Sequence, residues 1–262
     1  MKARLKDRWV VITGASSGFG AAAARAFGEH GARLMLGARR EDRLASVAAE
    51  AEALGSPDAR WHGLDVASTA SVEVFAAWIR SVAPSVHVLI NNAGGAHGLE
   101  PVVEGRDADW EAMMQSNVLG VLRMVRAVLP WMPRDDGATV LNIGSIAART
   151  PYENGAAYCA AKAGELAITR ALRLELVGTG IRVASLDPGL AETEFSRVRF
   201  KGDIERAEQV YRGTRPLTAE DVAEAMVWIA GRPAHVCIDE MVIKPVDQAA
   251  IHRLHRREGR SD

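Results

Sequence analysis

The feature that most constrains this chain is the short apolar run Trp9-Val10-Val11-Ile12-Thr13. It ends in Gly14-Ala15-Ser16-Ser17-Gly18-Phe19-Gly20 and is followed by a helical stretch from Ala21 to His30 with a Gly31 stop. A strand, a glycine-rich turn and a helix in that order begin an alternating α/β fold. Further buried strands are expected at 33–38, 60–64, 86–90, 138–143 and 181–186, with a last one at 241–243. Helices are expected at 41–54, closed by Gly55, then at 107–132, 156–177 and 219–230. Continuous apolar strands covered by helices imply a doubly wound, mostly parallel seven-stranded sheet of Rossmann type, buried on both faces. No Pro/Ser/Gly-rich linker interrupts the pattern, so residues 1–262 are read as one domain.

Composition narrows the partners. A formal net charge of -1 provides no field to attract nucleic acid or an anionic membrane. No apolar run reaches bilayer length and the N-terminus leads into a strand, so the expected compartment is the cytoplasm. Cys159 and Cys237 make neither a disulfide framework nor a metal cluster, and no metal is expected.

In the first turn, Gly14, Gly18 and Gly20 let the backbone bend tightly and approach a diphosphate, while the helix N-terminus offers N–H donors. The spacing is G-x-x-x-G-x-G rather than G-x-G-x-x-G, but its place between the first strand and first helix suits a dinucleotide. The second strand ends in Gly37-Ala38-Arg39-Arg40. An acid there would select NAD, whereas two arginines suit the 2′-phosphate of NADP, with Arg39 the expected main contact. The other reading is a solvated helix start, since Arg40-Glu41-Asp42-Arg43 is mixed in sign.

Tyr158 and Lys162 lie four apart in a run of helix formers and so leave one helix face. A phenol, with a reference pKa of ~10, exchanges protons poorly at neutral pH unless a fixed cation favours its anion. Lys162 is placed to be that cation. Alone, the pair is equally an apolar body beside a solvated charge.

Together these segments resemble the short-chain dehydrogenase/reductase family over nearly the whole chain. Thr13 to Gly20 matches its cofactor loop, so that Ser16, Ser17 and Phe19 join the glycines as cofactor contacts. Asp65-Val66 matches its adenine-side contact, and Asn91-Asn92-Ala93-Gly94 the segment after its fourth strand. Asn117 falls at the family's helix-borne asparagine, Ser145 thirteen positions before Tyr158, and Asp187-Pro188-Gly189 at its turn beside the nicotinamide. The resemblance implies Tyr158 as acid/base and Lys162 as activator and ribose ligand. It implies Ser145 as the group orienting the substrate oxygen and Asn117 as holder of a relay water. Asn91, Ala93, Gly94, Pro188 and Gly189 are implied cofactor contacts, residues about 189–216 a substrate lid, and the assembly a homotetramer.

The segment Pro188 to Asp203, with Pro233-Ala234-His235-Val236, is similar to NADP-dependent 3-hydroxy acid dehydrogenases. This implies a small hydroxy acid or its carbonyl form as substrate, with sulfoacetaldehyde or another small aldehyde as the alternative. Arg149, Arg197 and Arg199 are candidate ligands for an anionic tail. A dinucleotide sensor without turnover is the reading from another class; Ser145, Tyr158 and Lys162 argue against it.

Overall fold

The computed structural model describes residues 2–134 and 137–257. A short helix α1 (Lys2–Leu5) precedes β1 (Trp9–Thr13), α2 (Gly18–Glu29), β2 (Arg33–Ala38), α3 (Glu41–Leu54) and β3 (Ala59–Gly63). Then come α4 (Thr69–Val82), β4 (Val88–Asn91), α5 (Asp107–Met114), α6 (Gly120–Val128) and β5 (Thr139–Ile143). The chain continues through α7 (Ala156–Glu175), β6 (Arg182–Pro188), α8 (Phe195–Arg199), α9 (Ile204–Gln209), α10 (Ala219–Ala230) and β7 (Glu240–Ile243). It closes with a two-stranded ribbon of β8 (Gln248–Ala250) and β9 (Arg253–Leu254).

The main sheet has seven strands in the order β3-β2-β1-β4-β5-β6-β7, every neighbouring pair parallel. Alternate β1 residues serve opposite faces. Val10 and Ile12 join Phe27, Leu44, Val222 and Met226 beneath α2, α3 and α10. Trp9 and Val11 join Phe75, Ile79, Met124 and Leu172 beneath α4, α6 and α7. Each such large side chain stabilises the fold by roughly 1.5–3 kcal/mol on burial, so both faces are closed by apolar packing. The strand order reverses between β1 and β4, and the crevice beyond their carboxyl ends is where an open α/β sheet binds its ligand. No helix among the described residues is long and apolar enough to cross a membrane.

Two elements depart from the expected pattern. Between β3 and β4, where no helix was expected, α4 buries Val72, Phe75, Ala76 and Ile79 and is capped by Ser68, whose side chain accepts from the Ser71 amide. Its signal was the i, i+3, i+4, i+7 spacing, disguised by β-branched and aromatic residues that also suit a strand. The expected helix 107–132 is in fact α5, a π turn at Gln115–Leu119, α6 and a 3₁₀ turn at Leu129–Trp131. Asn117 Nδ2 donates to the Met113 carbonyl, the acceptor that α-helical geometry would give to the Asn117 amide. Ser116 Oγ takes the Ala112 carbonyl in the same way. Side chains competing for backbone acceptors widen the helix at that point.

The segment after Pro188 folds as α8 and α9 between tied ends. The Leu217 amide donates to the Leu190 carbonyl and the Glu192 amide to the Leu217 carbonyl, closing the segment into a flap over the carboxyl end of the sheet.

Candidate active site

The glycine turn is shaped for close approach. Gly14 and Gly18 have φ of 66° and 51°, a region glycine occupies without strain. A Cβ on Gly20 would lie 2.4 Å from the Gly14 carbonyl oxygen, so the first turn of α2 packs on the glycine turn only with glycine there. Asn92 Nδ2 donates to the carbonyls of Thr13 and Gly14, and Thr13 Oγ1 accepts from the Asn92 and Ala93 amides. The end of β4 therefore clamps the turn open.

Asn92, rather than Asn91, is the asparagine whose side chain faces the turn. Asn91 is buried and its Nδ2 donates to Asn142 Oδ1 on β5. The register that pairs Asn91 with Asn142 sends that side chain into the sheet. Phe19, in the first turn of α2, packs onto the core. Asp65 Oδ1 accepts from the Ala67 amide, fixing the bend before α4, and Val66 packs against Gly120.

Arg39 and Arg40 are both exposed, but it is Arg40 that turns back to the glycine turn: its Nη2 donates to Ser17 Oγ at 2.6 Å and its Nε to Ser16 Oγ at 3.2 Å. Arg43, one turn into α3, points the same way. The Glu194 carboxylate from the flap lies between the two, 3.0 Å from Arg40 Nη1 and 2.7 Å from Arg43 Nη1. Two guanidinium groups, one of them held by the Ser16 and Ser17 hydroxyls, thus converge on an anion at the end of β2. That donor set fits a phosphate monoester.

At the other end of the crevice, α7 carries Tyr158 and Lys162. Lys162 is 7% exposed; its Nζ lies 6.0 Å from the Tyr158 ring centre and donates to the Ile143 carbonyl at 2.8 Å and to Glu165 Oε2 at 2.7 Å. Burial opposes the Lys162 charge, but Glu165 and Tyr158 outweigh it and hold its pKa above the ordinary lysine value. Burial pushes the Glu165 carboxyl up to about 7 against the pull of Lys162, and its Oε1 has no hydrogen-bond partner among the described residues. Glu165 went unnoticed in the sequence because a helical glutamate three residues after a lysine usually faces solvent.

Gly94 brings Asn117 and Lys162 together: a Cβ there would sit 2.5 Å from Asn117 Oδ1 and 3.9 Å from Lys162 Nζ. Asn117 Oδ1 accepts from the Gly95 amide and Nδ2 donates to the Gly95 carbonyl, so its side chain is committed to holding that loop. Ser145 Oγ accepts from the Ala147 amide, which leaves its own proton to donate elsewhere. The Pro188-Gly189 turn is backed by Gln248, whose Oε1 accepts from the Leu190 amide at 2.7 Å.

The three candidate arginines separate. Arg149 does not face the cleft: Asp187 and Glu240 bracket its guanidinium at 2.6 and 2.5 Å, tying the turn after β5 to β6 and β7. A fully buried carboxylate beneath it captures the side chain, so the expectation that Arg149 grips substrate is corrected. Arg197 is exposed and lines a separate hollow with Glu192, Glu208 and Tyr211. Arg199 enters the cleft that holds Tyr158, together with His97, Trp110 and Met113. Its guanidinium carbon lies 5.4 Å from the Tyr152 ring centre and 5.9 Å from that of Tyr158, Nε donates to the Gly98 carbonyl, and Nη2 is buried with no hydrogen-bond partner among the described residues. Burial pushes the neighbouring Tyr152 phenol up to about 12 despite Arg199, keeping it neutral. Phe195 closes the other side of Tyr158, ring centres 5.4 Å apart.

A family profile described as short chain dehydrogenase matches residues 8–203. The NADP-dependent 3-hydroxy acid dehydrogenase of Salmonella typhi is 41% identical over 93% of this chain and 99% of its own. Sulfoacetaldehyde reductase 2 of Chromohalobacter salexigens is also 41% identical, over 92% of this chain and 95% of its own. Among solved structures, the closed form of serine dehydrogenase complexed with NADP+ superposes with a TM-score of 0.86, at 38% identity over 95% of this chain and all of that one.

Proposed function

The chain belongs to the short-chain dehydrogenase/reductase family, and from that premise we propose that it is an NADP-dependent oxidoreductase interconverting a small 3-hydroxy acid and its carbonyl form. The observation that carries the substrate side is the unpartnered guanidinium nitrogen of Arg199, buried in the same cleft as Tyr158. The observation behind the cofactor is the convergence of Arg43 and of Arg40, held by Ser16 and Ser17, on one anion seat. The names of the 3-hydroxy acid dehydrogenase relatives and the serine dehydrogenase complex agree with both.

When bound, NADP would supply the acceptor for a hydride from the carbinol carbon, and NADPH the donor for the reverse reaction. The chain's own residues handle the proton and the geometry. Tyr158 takes the hydroxyl proton in oxidation and gives it back in reduction, with the Lys162 ammonium 6.0 Å from its ring centre. Ser145 donates to the substrate oxygen and holds it beside the phenol. Asn117 fixes the Gly94-Gly95 loop next to Lys162. Gly14, Gly18, Gly20, Asp65, Val66, Ala93, Pro188 and Gly189 would hold the cofactor. Arg199 receives the substrate's carboxylate, which selects the carbon presented for hydride transfer. Sulfoacetaldehyde carries an equivalent anionic tail, and the sulfoacetaldehyde reductase relative supports that alternative.

The test compares kcat/KM for matched carboxylate-bearing and neutral aldehydes in wild type and in Arg199→Met. Wild type should prefer the charged member, and the variant should lose about 10- to 100-fold of that preference, the worth of a charge-assisted contact. A wild type indifferent to the tail would refute the reading. We further propose the homotetramer usual in this family, supported by Leu174 and Val177 at 77% and 83% exposure where α7 ends. A light-scattering mass equal to the single 28.1 kDa chain would refute it.

A further inference from the structure

Glu194 stands one residue before α8, at the head of the flap, yet its carboxylate reaches the start of α3. Each oxygen takes one arginine: Oε2 accepts from Arg40 and Oε1 from Arg43. Arg40 is held in this position from behind by Ser16 and Ser17. The bond from Arg43, against some burial and with help from Arg40 and Ser17, holds the Glu194 carboxyl down to about 2, so it is an anion at any working pH. As a clamp for the fold this cluster is weak. The side chains are 42%, 45% and 38% exposed, and exposed ion pairs contribute little to stability. It is therefore cheap to open.

We propose that Glu194 determines cofactor selectivity as a built-in competitor: its carboxylate occupies the seat between Arg40 and Arg43 that the 2′-phosphate of NADP requires. This rests on the NADP reading above. A dinucleotide without the phosphate leaves the Glu194 contacts intact. One with the phosphate must displace the carboxylate, so the phosphate's attraction for the two arginines is felt only as the surplus over Glu194. The exchange also reaches the substrate side. Glu194 is continuous with Phe195, which packs on Tyr158, and with Arg199, which enters the cleft. Thr193, just before it, rests against Gly18 of the glycine turn. Releasing Glu194 removes one tether of the flap and leaves those from Arg199 to Gly98 and Lys201 to Asp109.

The test is equilibrium binding, followed by nicotinamide fluorescence, of NADPH and NADH to wild type and Glu194→Gln. The amide keeps the size of the side chain and removes its charge. NADPH should bind Glu194→Gln about threefold to tenfold more tightly, with NADH unchanged, since two partly exposed ion pairs no longer compete. A second measurement needs no variant: 2′-AMP, but not 5′-AMP, should increase amide hydrogen exchange at residues 194–199 of the wild-type protein. Unchanged or weaker NADPH binding in Glu194→Gln, or identical exchange with the two nucleotides, overturns the proposal. A wild type that binds NADH better than NADPH would instead refute the NADP reading itself. Wild-type preference for NADPH, with no change in Glu194→Gln, would remove this inference alone.

Discussion

Replacing Tyr158 by Phe is expected to lower turnover by about 10²–10⁴-fold, the usual worth of a positioned general acid/base, while leaving the affinity for NADPH within about twofold. The expectation comes from how the ring is held. Phe195 packs edge-on against it, Lys162 lies 6.0 Å from its centre, and the Arg199 guanidinium lies 5.9 Å away. All three contacts involve the ring, so a phenylalanine preserves them and the variant should fold and bind as wild type does. Only the proton-exchanging oxygen is lost. The loss should fall on kcat and kcat/KM together, as for an interaction made in the transition state. Steady-state rates beside a fluorescence titration of NADPH check both halves. A variant with wild-type turnover would remove Tyr158 from the chemistry.

Lys162→Met is expected to act on two properties at once. Turnover should fall by about 10²-fold or more, because a fixed charge beside the phenol disappears. Stability should fall as well, since the Ile143 carbonyl and Glu165 lose their donor inside the protein. Breaking a buried pair costs about 3–5 kcal/mol when the remaining charge stays ionised. Glu165 has a way to avoid that cost. Burial already places its carboxyl near 7 with Lys162 present, and losing the lysine raises it further. A carboxyl raised above its unfolded value contributes stability that is fully present below the unfolded pKa of ~4.3 and lost as pH rises through the folded one. The variant should therefore melt close to wild type near pH 5 and progressively lower toward about pH 9. Thermal melts across that range test this. Lys162→Met combined with Glu165→Val should regain the stability but not the turnover, because no unpaired buried carboxyl remains. Equal, pH-independent destabilisation in the single and double variants would contradict the account.

The parts of the site that were legible in the sequence are those fixed by local spacing. Gly14, Gly18 and Gly20 announce a turn because glycine alone meets its backbone demands, and Tyr158 and Lys162 announce a shared face because helix periodicity sets it. Side-chain partners far apart in the chain were not legible. Arg149 reads as a free cation near Ser145, yet it is claimed by Asp187 and Glu240, 38 and 91 residues away. Arg39 and Arg40 are indistinguishable as neighbours until the close of β2 points one at the glycine turn and the other at solvent. Glu194 could not be placed on Arg43, 151 residues earlier, without the sheet order that carries the flap back across the first crossover. Asn91 and Asn92 differ only by strand alternation, and the sense of that alternation depends on where β4 begins.

The account stands most directly on hydride transfer with the cofactor and substrate class named together. Wild-type protein is mixed with NADPH or NADH and a short carboxylate-bearing aldehyde, and loss of nicotinamide absorbance is followed. The account predicts rapid consumption of NADPH, much slower consumption of NADH, and no consumption by Tyr158→Phe above about a hundredth of the wild-type rate. Absence of NADPH consumption across carboxylate, sulfonate and neutral aldehydes, with NADPH nevertheless bound, would contradict it and leave a dinucleotide-binding protein without this chemistry.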